Sequence, residues 1–304
     1  MNARTILTVH LIPVVCTITA WAGPPLPLHT VEGNSGVFIT STAYLANPPE
    51  EGRKFGVPSI SASVAFMEKK DFESFAVTEN LWGRVELGYA IERLGIDDWS
   101  DDVFDVTAGT RVEDTVWLHN FNARWMAIQE GAGERPWVPA VTLGAHFKAN
   151  DGVSDIDDQL GGLCETLGVD SDTGVEFTVV ATKAITNVLK RPIIVSAGLR
   201  NGGAIHTGLC GFSDSRKTTF EGSVIVFLSD NLAFATEYRQ KPDLMDEFSA
   251  GGVDLVTGES DWWDLALAYV VNDHLTISGG YANFGKVLNN QEDSVIALQV
   301  KYEF

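Results

Sequence analysis

The residues of this chain that could do chemistry are spaced two apart. Arg84 and Glu86, His146 and Lys148, Glu237 and Arg239, and Lys301 and Glu303 form such pairs, with apolar or aromatic residues between and around them. A two-residue period puts both members on one face of a β-strand and their neighbours on the other. Extending the same parity gathers Glu92, Arg124, Glu176, Arg200 and Glu221 into the set, for six acids, six bases and one histidine. On a lipid-facing surface a Lys or Arg would cost about 2–4 kcal/mol at mid-bilayer, so these groups must face inward. Facing inward, they can line an aqueous pore or pair across a narrow lumen as a salt-bridge network.

A second cluster is acidic. Asp151, Asp155, Asp157 and Asp158 lie close together in a stretch with no base between 151 and 172. Hard divalent cations take oxygen ligands, so this is a candidate cation loop, although it lacks the EF-hand spacing. The plainer reading is a solvated acidic loop, as for Asp97, Asp98, Asp101 and Asp102. Cys164 and Cys210 stand in two different loop regions and could form one bridge in an oxidising compartment. Catalysis has little support. His119 and His146 are candidate bases on neighbouring strands, but parity puts them on opposite faces, and no serine motif accompanies either. No phosphate loop, dinucleotide fingerprint or Cys/His metal cluster is present, so neither enzyme activity nor a cofactor is expected and no metal is assigned.

The elements that would hold these side chains recur along the chain. Alternating runs fall at 58–67, 73–80, 83–93, 115–128, 137–148, 174–184, 192–201, 218–228, 231–240, 262–271, 274–283 and 294–304. Most approach the roughly 9–11 residues that a tilted strand needs to cross a bilayer. Connections alternate between short (81–82, 129–136, 185–191, 229–230, 272–273) and long (94–114, 149–173, 202–217, 241–261, 284–293), with 68–72 a short exception on the long side. Short turns on one side and longer loops on the other are the habit of outer-membrane barrels. Aromatics sort to the strand ends as two girdles: Trp82, Trp125, Trp137, Tyr269, Tyr302 and Phe304 at the periplasmic rim; Phe147, Phe220, Tyr238, Trp263 and Tyr281 at the extracellular rim. The expected fold is all-β: a transmembrane antiparallel up-and-down barrel of about twelve strands over 57–304. Residues 23–56 are expected to be a periplasmic or lumen-entering segment. Gly36 to Ala46 could also be a strand, which leaves a fourteen-strand barrel as the alternative.

The N-terminus reads as a secretory signal over 1–22, with Arg4, an apolar stretch from Ile6, and Ala20-Trp21-Ala22 as a cleavage site. The formal charge of −20 argues against nucleic acid, whose phosphates attract Lys and Arg.

The chain resembles the bacterial outer-membrane family catalogued as domain of unknown function 3034. The residues that carry the likeness are Thr30-Val31-Glu32-Gly33, Arg84-Val85-Glu86-Leu87-Gly88-Tyr89-Ala90, Gly174-Val175-Glu176-Phe177 with Ala181-Thr182-Lys183, Phe220-Glu221-Gly222-Ser223, Glu237-Tyr238-Arg239 with Lys241-Pro242-Asp243, and Trp263-Asp264. The resemblance covers most of 30–304 and implies a membrane β-barrel. It implies no activity, because the family has no established one.

The expected function is a small porin-like channel for a modest polar solute in the bacterial outer membrane. A closed structural or surface-interaction barrel is the alternative, and an outer-membrane lipid hydrolase a third reading. Expected partners are outer-membrane lipid and lipopolysaccharide, together with the barrel-assembly machinery, which would read the alternating C-terminal strand ending in Phe304. Deleting Phe304 should leave export intact and reduce the heat-modifiable, membrane-embedded protein. Unchanged amounts in outer-membrane fractions would refute the assembly role.

Overall fold

The computed structural model describes residues 28–186, 188 and 190–304; the expected signal segment and its cleavage site lie outside the described residues. Twelve antiparallel strands close into one barrel. They are β1 (Ser59–Phe66), β2 (Asp71–Leu81), β3 (Val85–Gly95), β4 (Thr115–Ile128), β5 (Ala140–Asp151), β6 (Thr173–Ile185), β7 (Ile193–Ala204), β8 (Phe212–Phe227), β9 (Leu232–Arg239), β12 (Trp262–Val270), β13 (Leu275–Asn283) and β16 (Val295–Glu303). Each pairs with its neighbour in the barrel order, and β1 closes on β16 from Ser59 opposite Glu303 to Phe66 opposite Ile296. Closure leaves no sheet edge for lipid to face, which a membrane-spanning sheet requires. The fourteen-strand alternative is overturned: the stretch 36–46 forms no barrel strand, and the remaining short strands lie outside the barrel.

The pleat sorts side chains as the two-residue period demands. Leu265, Leu267 and Tyr269 of β12 are exposed on the outer face, while Asp264, Ala266 and Ala268 are buried within. Every residue of the two expected aromatic girdles is exposed. The rings also contact across strands, with Trp263 and Tyr281 centroids 6.0 Å apart and Tyr302 and Phe304 5.2 Å apart.

Both chain ends of the barrel and its tight connections share one end, the turn end. The opposite, loop end carries the insertions: α1 (Asp97–Val106), α2 (Val153–Gln159), α3 (Leu163–Thr166), and the hairpins β10 (Phe248–Ala250) with β11 (Val253–Val256) and β14 (Gly285–Val287) with β15 (Asn290–Glu292). These pack into a cap with an apolar core that includes Trp99, Val103, Ile156, Leu209, Phe212 and Leu255. Trp99 Nε1 donates to the Leu255 carbonyl at 2.9 Å, tying α1 to β11. Buried Lys70 donates to Asp98 at 3.0 Å and to Asn289 at 2.9 Å, and Asn289 reaches Asp102 at 2.8 Å. Part of the acidic run at 97–102 therefore latches the cap rather than merely meeting solvent.

Two expectations for the loops are corrected here. Asp151, Asp155, Asp157 and Asp158 do not converge on a cation site. Asp155, Asp157 and Asp158 are spread along α2, and Asp157 Oδ1 accepts the backbone N–H of Cys164 at 2.6 Å and of Glu165 at 3.2 Å. Among the described residues no three His, Cys, Asp or Glu side chains gather to hold a metal. Cys164 and Cys210 are both buried in the cap core and unbridged. Burial pushes the Cys164 thiol up to about 12, and Cys210 is raised by burial as well. Both should behave as small buried hydrophobes rather than reactive thiols. Unreduced, folded protein treated with iodoacetamide should gain no mass, and denatured protein should gain two adducts. A disulfide mass in the denatured sample would refute this.

Candidate functional site

The lumen is occupied by the chain itself. Residues 28–46 enter from the turn end, fold back below the cap and leave again, and nearly all of them are buried. The segment is irregular: the N–H groups of Thr30, Val31, Gly33, Val37 and Thr42 bond carbonyls within it, and its other N–H groups find no such partner there. Buried backbone groups without partners are costly, and the barrel wall must supply them.

The wall does so at several places. Glu237 of β9 lies against a backbone turn: its carboxylate accepts the N–H of Phe38 at 2.6 Å, Ile39 at 3.1 Å and Thr40 at 2.6 Å, and the Thr40 hydroxyl at 2.6 Å. Glu86 of β3 accepts the N–H of Ser35 at 3.1 Å and of Ala46 at 2.7 Å, joining the two limbs of the segment. Arg124 of β4 pairs with Glu86 at 2.7 Å and donates to the carbonyls of Ser35 and Thr42. Gln299 of β16 brackets His29, accepting its N–H at 3.2 Å and donating to its carbonyl at 2.6 Å, while the His29 ring bonds Ser61 and Thr78. Near the turn end, Thr182 and Thr142 bond the N–H and carbonyl of Ala43 at 2.7 and 2.6 Å.

A further contact is electrostatic. Glu32 is the sole formal charge between residues 23 and 49. Its carboxylate meets Lys148 at 2.6 Å, Arg200 at 2.8 Å and Arg239 at 3.2 Å. Those cations also pair with the wall: Lys148 with Glu176 at 2.6 Å, and Arg200 with Glu176 and Glu221, both at 3.1 Å. The cluster is charge-balanced, with members from β5, β6, β7, β8, β9 and the plug. Removing one member of a buried network typically costs about 3–5 kcal/mol, because a charge is left unpaired.

Of the residues expected inside, Glu86, Arg124, Lys148, Glu176, Arg200, Glu221, Glu237 and Arg239 thus all touch or support the plug. Glu92 and His146 are buried on the same wall, and neither ring nitrogen of His146 has a protein partner. Lys301 and Glu303 pair at 2.6 Å near the turn end, with Lys301 opposite the Ser61 that bonds His29. Arg84 departs from the expectation. It precedes β3 in the tight turn, is exposed, and donates to the Met126 carbonyl. Parity alone extended the strand one residue too far. His119 faces outward beside Tyr89, with Nδ1 2.8 Å from the hydroxyl, on the face opposite His146.

Sequence reasoning missed Glu32, His29 and Gln299 as anchors. A signal existed: from Gly33 to Pro49 no charged residue interrupts a run rich in Ser, Thr and Asn, and Glu32 stands at its edge. Gly88 lets the plug approach, since a Cβ there would overlap the Gly33 carbonyl oxygen. The wall charges are almost wholly buried, Lys148 at 0% exposure and Arg124 at 1%, so water does not fill the lumen around them.

This architecture defines a transmembrane β-barrel of the outer-membrane type with an internal plug. The chain belongs to the family described as protein of unknown function (DUF3034), whose model matches residues 27–301. Solved structures similar to it include KdgM porin, at 9% identity, covering 81% of this chain and 99% of that one with a TM-score of 0.49. NanC porin matches at 9% identity, 81% and 98% coverage and a TM-score of 0.48. LpxR from Salmonella typhimurium matches at 9% identity, 81% and 100% coverage and a TM-score of 0.46. No curated protein matches the chain in sequence.

If the plug is held as described, Gly88→Val should expel it while leaving the strands paired. Single cysteines placed at Ser35 or Thr40 in a Cys164→Ala, Cys210→Ala background should be unreactive with a polar maleimide in the parent. They should become labelled at least tenfold faster with Gly88→Val. Equal labelling rates would refute tight docking.

Proposed function

We propose that this protein is a bacterial outer-membrane channel for small polar solutes, held shut at rest by its own N-terminal segment. The observation that carries the reading is the chemistry of the wall behind the plug. A barrel that needed only to be closed could fill its lumen with interlocking apolar side chains, as small barrels can. Here the inward face of the strands is Ser, Thr, Asn, Gln and paired charges, among them Ser59, Ser61, Thr78, Asn80, Asn120, Asn122 and Gln299. Such a surface is costly to bury and favourable to wet. Several of its groups are satisfied by the plug backbone, and water can replace that backbone bond for bond. The salt bridges among Lys148, Arg200, Glu176 and Glu221 need no plug residue; Arg239, which pairs with Glu32 of the plug, would be solvated by water in the open wall.

In this reading the turn end faces the periplasm and the loop end the exterior, and the aromatic girdles sit at the two lipid interfaces. Lipid and lipopolysaccharide surround the barrel, and the assembly machinery reads the strand that ends in Phe304. Inward charges of both signs give weak selectivity inside. The acidic cap enriches cations at the outer mouth over about 10 Å at 0.1 M salt.

Planar-bilayer recording tests the proposal. The parent should be silent or conduct only in rare events. A variant lacking residues 28–46 should show a stable conductance, with a cation preference that fades as salt rises from 0.1 to 1 M. Gly88→Val, which keeps the whole chain, should give intermediate open probability. Folded, heat-modifiable protein that stays silent in both variants would overturn the channel reading and favour the closed structural barrel.

A further inference from the structure

Each oxygen of the Glu32 carboxylate has its own cationic partner. Oε1 meets Lys148 Nζ at 2.6 Å and Arg239 Nη2 at 3.2 Å, and Oε2 meets Arg200 Nη2 at 2.8 Å. All four side chains are buried. The cations come from β5, β7 and β9, so three separate strands aim them at one point. Charge-assisted bonds to both oxygens read the planar, two-oxygen shape of a carboxylate as well as its charge. An amide in the same place would turn an NH2 donor toward a donor.

The wall keeps an excess of charge without the plug. Within the ion-paired cluster, Lys148, Arg200 and Arg239 face two wall carboxylates, Glu176 and Glu221. Three positive charges against two negative leave one positive charge, and Glu32 cancels it. Glu237 stands two residues before Arg239, but its carboxylate is turned to the amides of Phe38, Ile39 and Thr40. A plug that served only to fill space would need no charge at this point, and burying one is costly. The excess belongs to the strands, so it stays when the plug leaves. A carboxylate on a solute then restores what Glu32 took away.

The same cations are approached from the loop end. A cavity of about 10 Å³ lies there, lined by Arg200, Arg239, Lys241 and Glu176 and by the exposed Lys217. It has room for about one water-sized group, so a whole carboxylate enters only as Glu32 gives way. A carboxylate arriving from the exterior meets the guanidinium groups that hold the plug and competes with Glu32 for them. The acidic cap acts on free ions at the mouth, over a Debye length, whereas these cations act by contact.

We propose that Lys148, Arg200 and Arg239 form the lumen's binding site for the carboxylate of a small monocarboxylate solute, and that Glu32 occupies the solute's place at rest. The site rests on the channel reading and names the class of solute that the channel takes.

The test uses the full mature chain in lipid nanodiscs, with Ser35→Cys as the single cysteine in the Cys164→Ala, Cys210→Ala background. Glu32→Ala should raise the rate of labelling by a polar maleimide about tenfold over the parent, because the plug loses its ionic anchor. Replacing chloride with acetate at constant ionic strength should slow that labelling saturably, with half the effect on the order of 1 mM. Acetamide and methylammonium should not slow it, and Arg239→Met should abolish the acetate effect. Gly88→Val keeps Glu32 and every cation and frees the plug by another route. In that variant, once its Ser35→Cys site labels fast, the methyl protons of propionate should show saturation transfer from the protein, and Arg239→Met should remove it. If Glu32→Ala does not fold, this second measurement decides alone. Labelling of Glu32→Ala that acetate leaves unchanged would overturn the site, and so would propionate contact that is absent or indifferent to Arg239→Met. Equal slowing by acetamide would overturn the carboxylate class. No conductance is measured: a channel that conducts but takes no carboxylate removes this proposal alone, and a silent protein that binds carboxylate removes the channel reading.

Discussion

The structure turns on an unmet need: an irregular segment of nineteen residues (28–46) must find hydrogen-bond partners in a space that water does not fill. The strands cannot lend it their backbone groups, because those are consumed in closing the barrel. Bonds within the segment serve five of its amides, and wall side chains must serve the others. That is why Glu237 is spent on three consecutive amides and Gln299 on both polar groups of one residue. It is also why Glu86 reaches two points of the plug eleven residues apart, Ser35 and Ala46. Carboxylate and amide side chains that accept several backbone donors at once are economical anchors, since charge-assisted bonds are stronger than neutral ones.

The Glu32 cluster adds register to that scheme. Hydrogen bonds to backbone are tolerant of sequence, and a plug held only by them could slide by a residue. A single carboxylate meeting Lys148, Arg200 and Arg239 at once has one place to sit. Burying these charges is costly, and the specificity of position is what the cost secures here. The cap follows the same logic with different chemistry. Lys70 and the acidic end of α1 latch an apolar core built from loops.

An outer face tuned to lipid and an inner face tuned to the plug are imposed on the same strands, residue by residue. This doubles the constraint on each strand. The outer face tolerates exchange among apolar residues, whereas Gly88 has no substitute while Gly33 lies against it.

Much of this was written in the sequence. The two-residue period, the sorted aromatics and the spacing of the charges determined a membrane barrel of twelve strands and named six residues that bond the plug and two that support them, because a pleated strand converts position into face without reference to anything else. Three features depended on the tertiary structure. Whether the inward charges lined water or a chain could not be read from parity, since parity says where a side chain points and not what it meets. Arg84 kept the right parity but fell in a turn, where the rule no longer applies. Glu32 carried no strand signal at all, and its role arises only when the barrel closes and brings β5, β7 and β9 to one point. The cysteines and aspartates of the loops likewise acquired their surroundings from the packing of the cap. That packing joins α1, α2 and α3 to hairpins some eighty or more residues away in sequence, in ways no local pattern encodes.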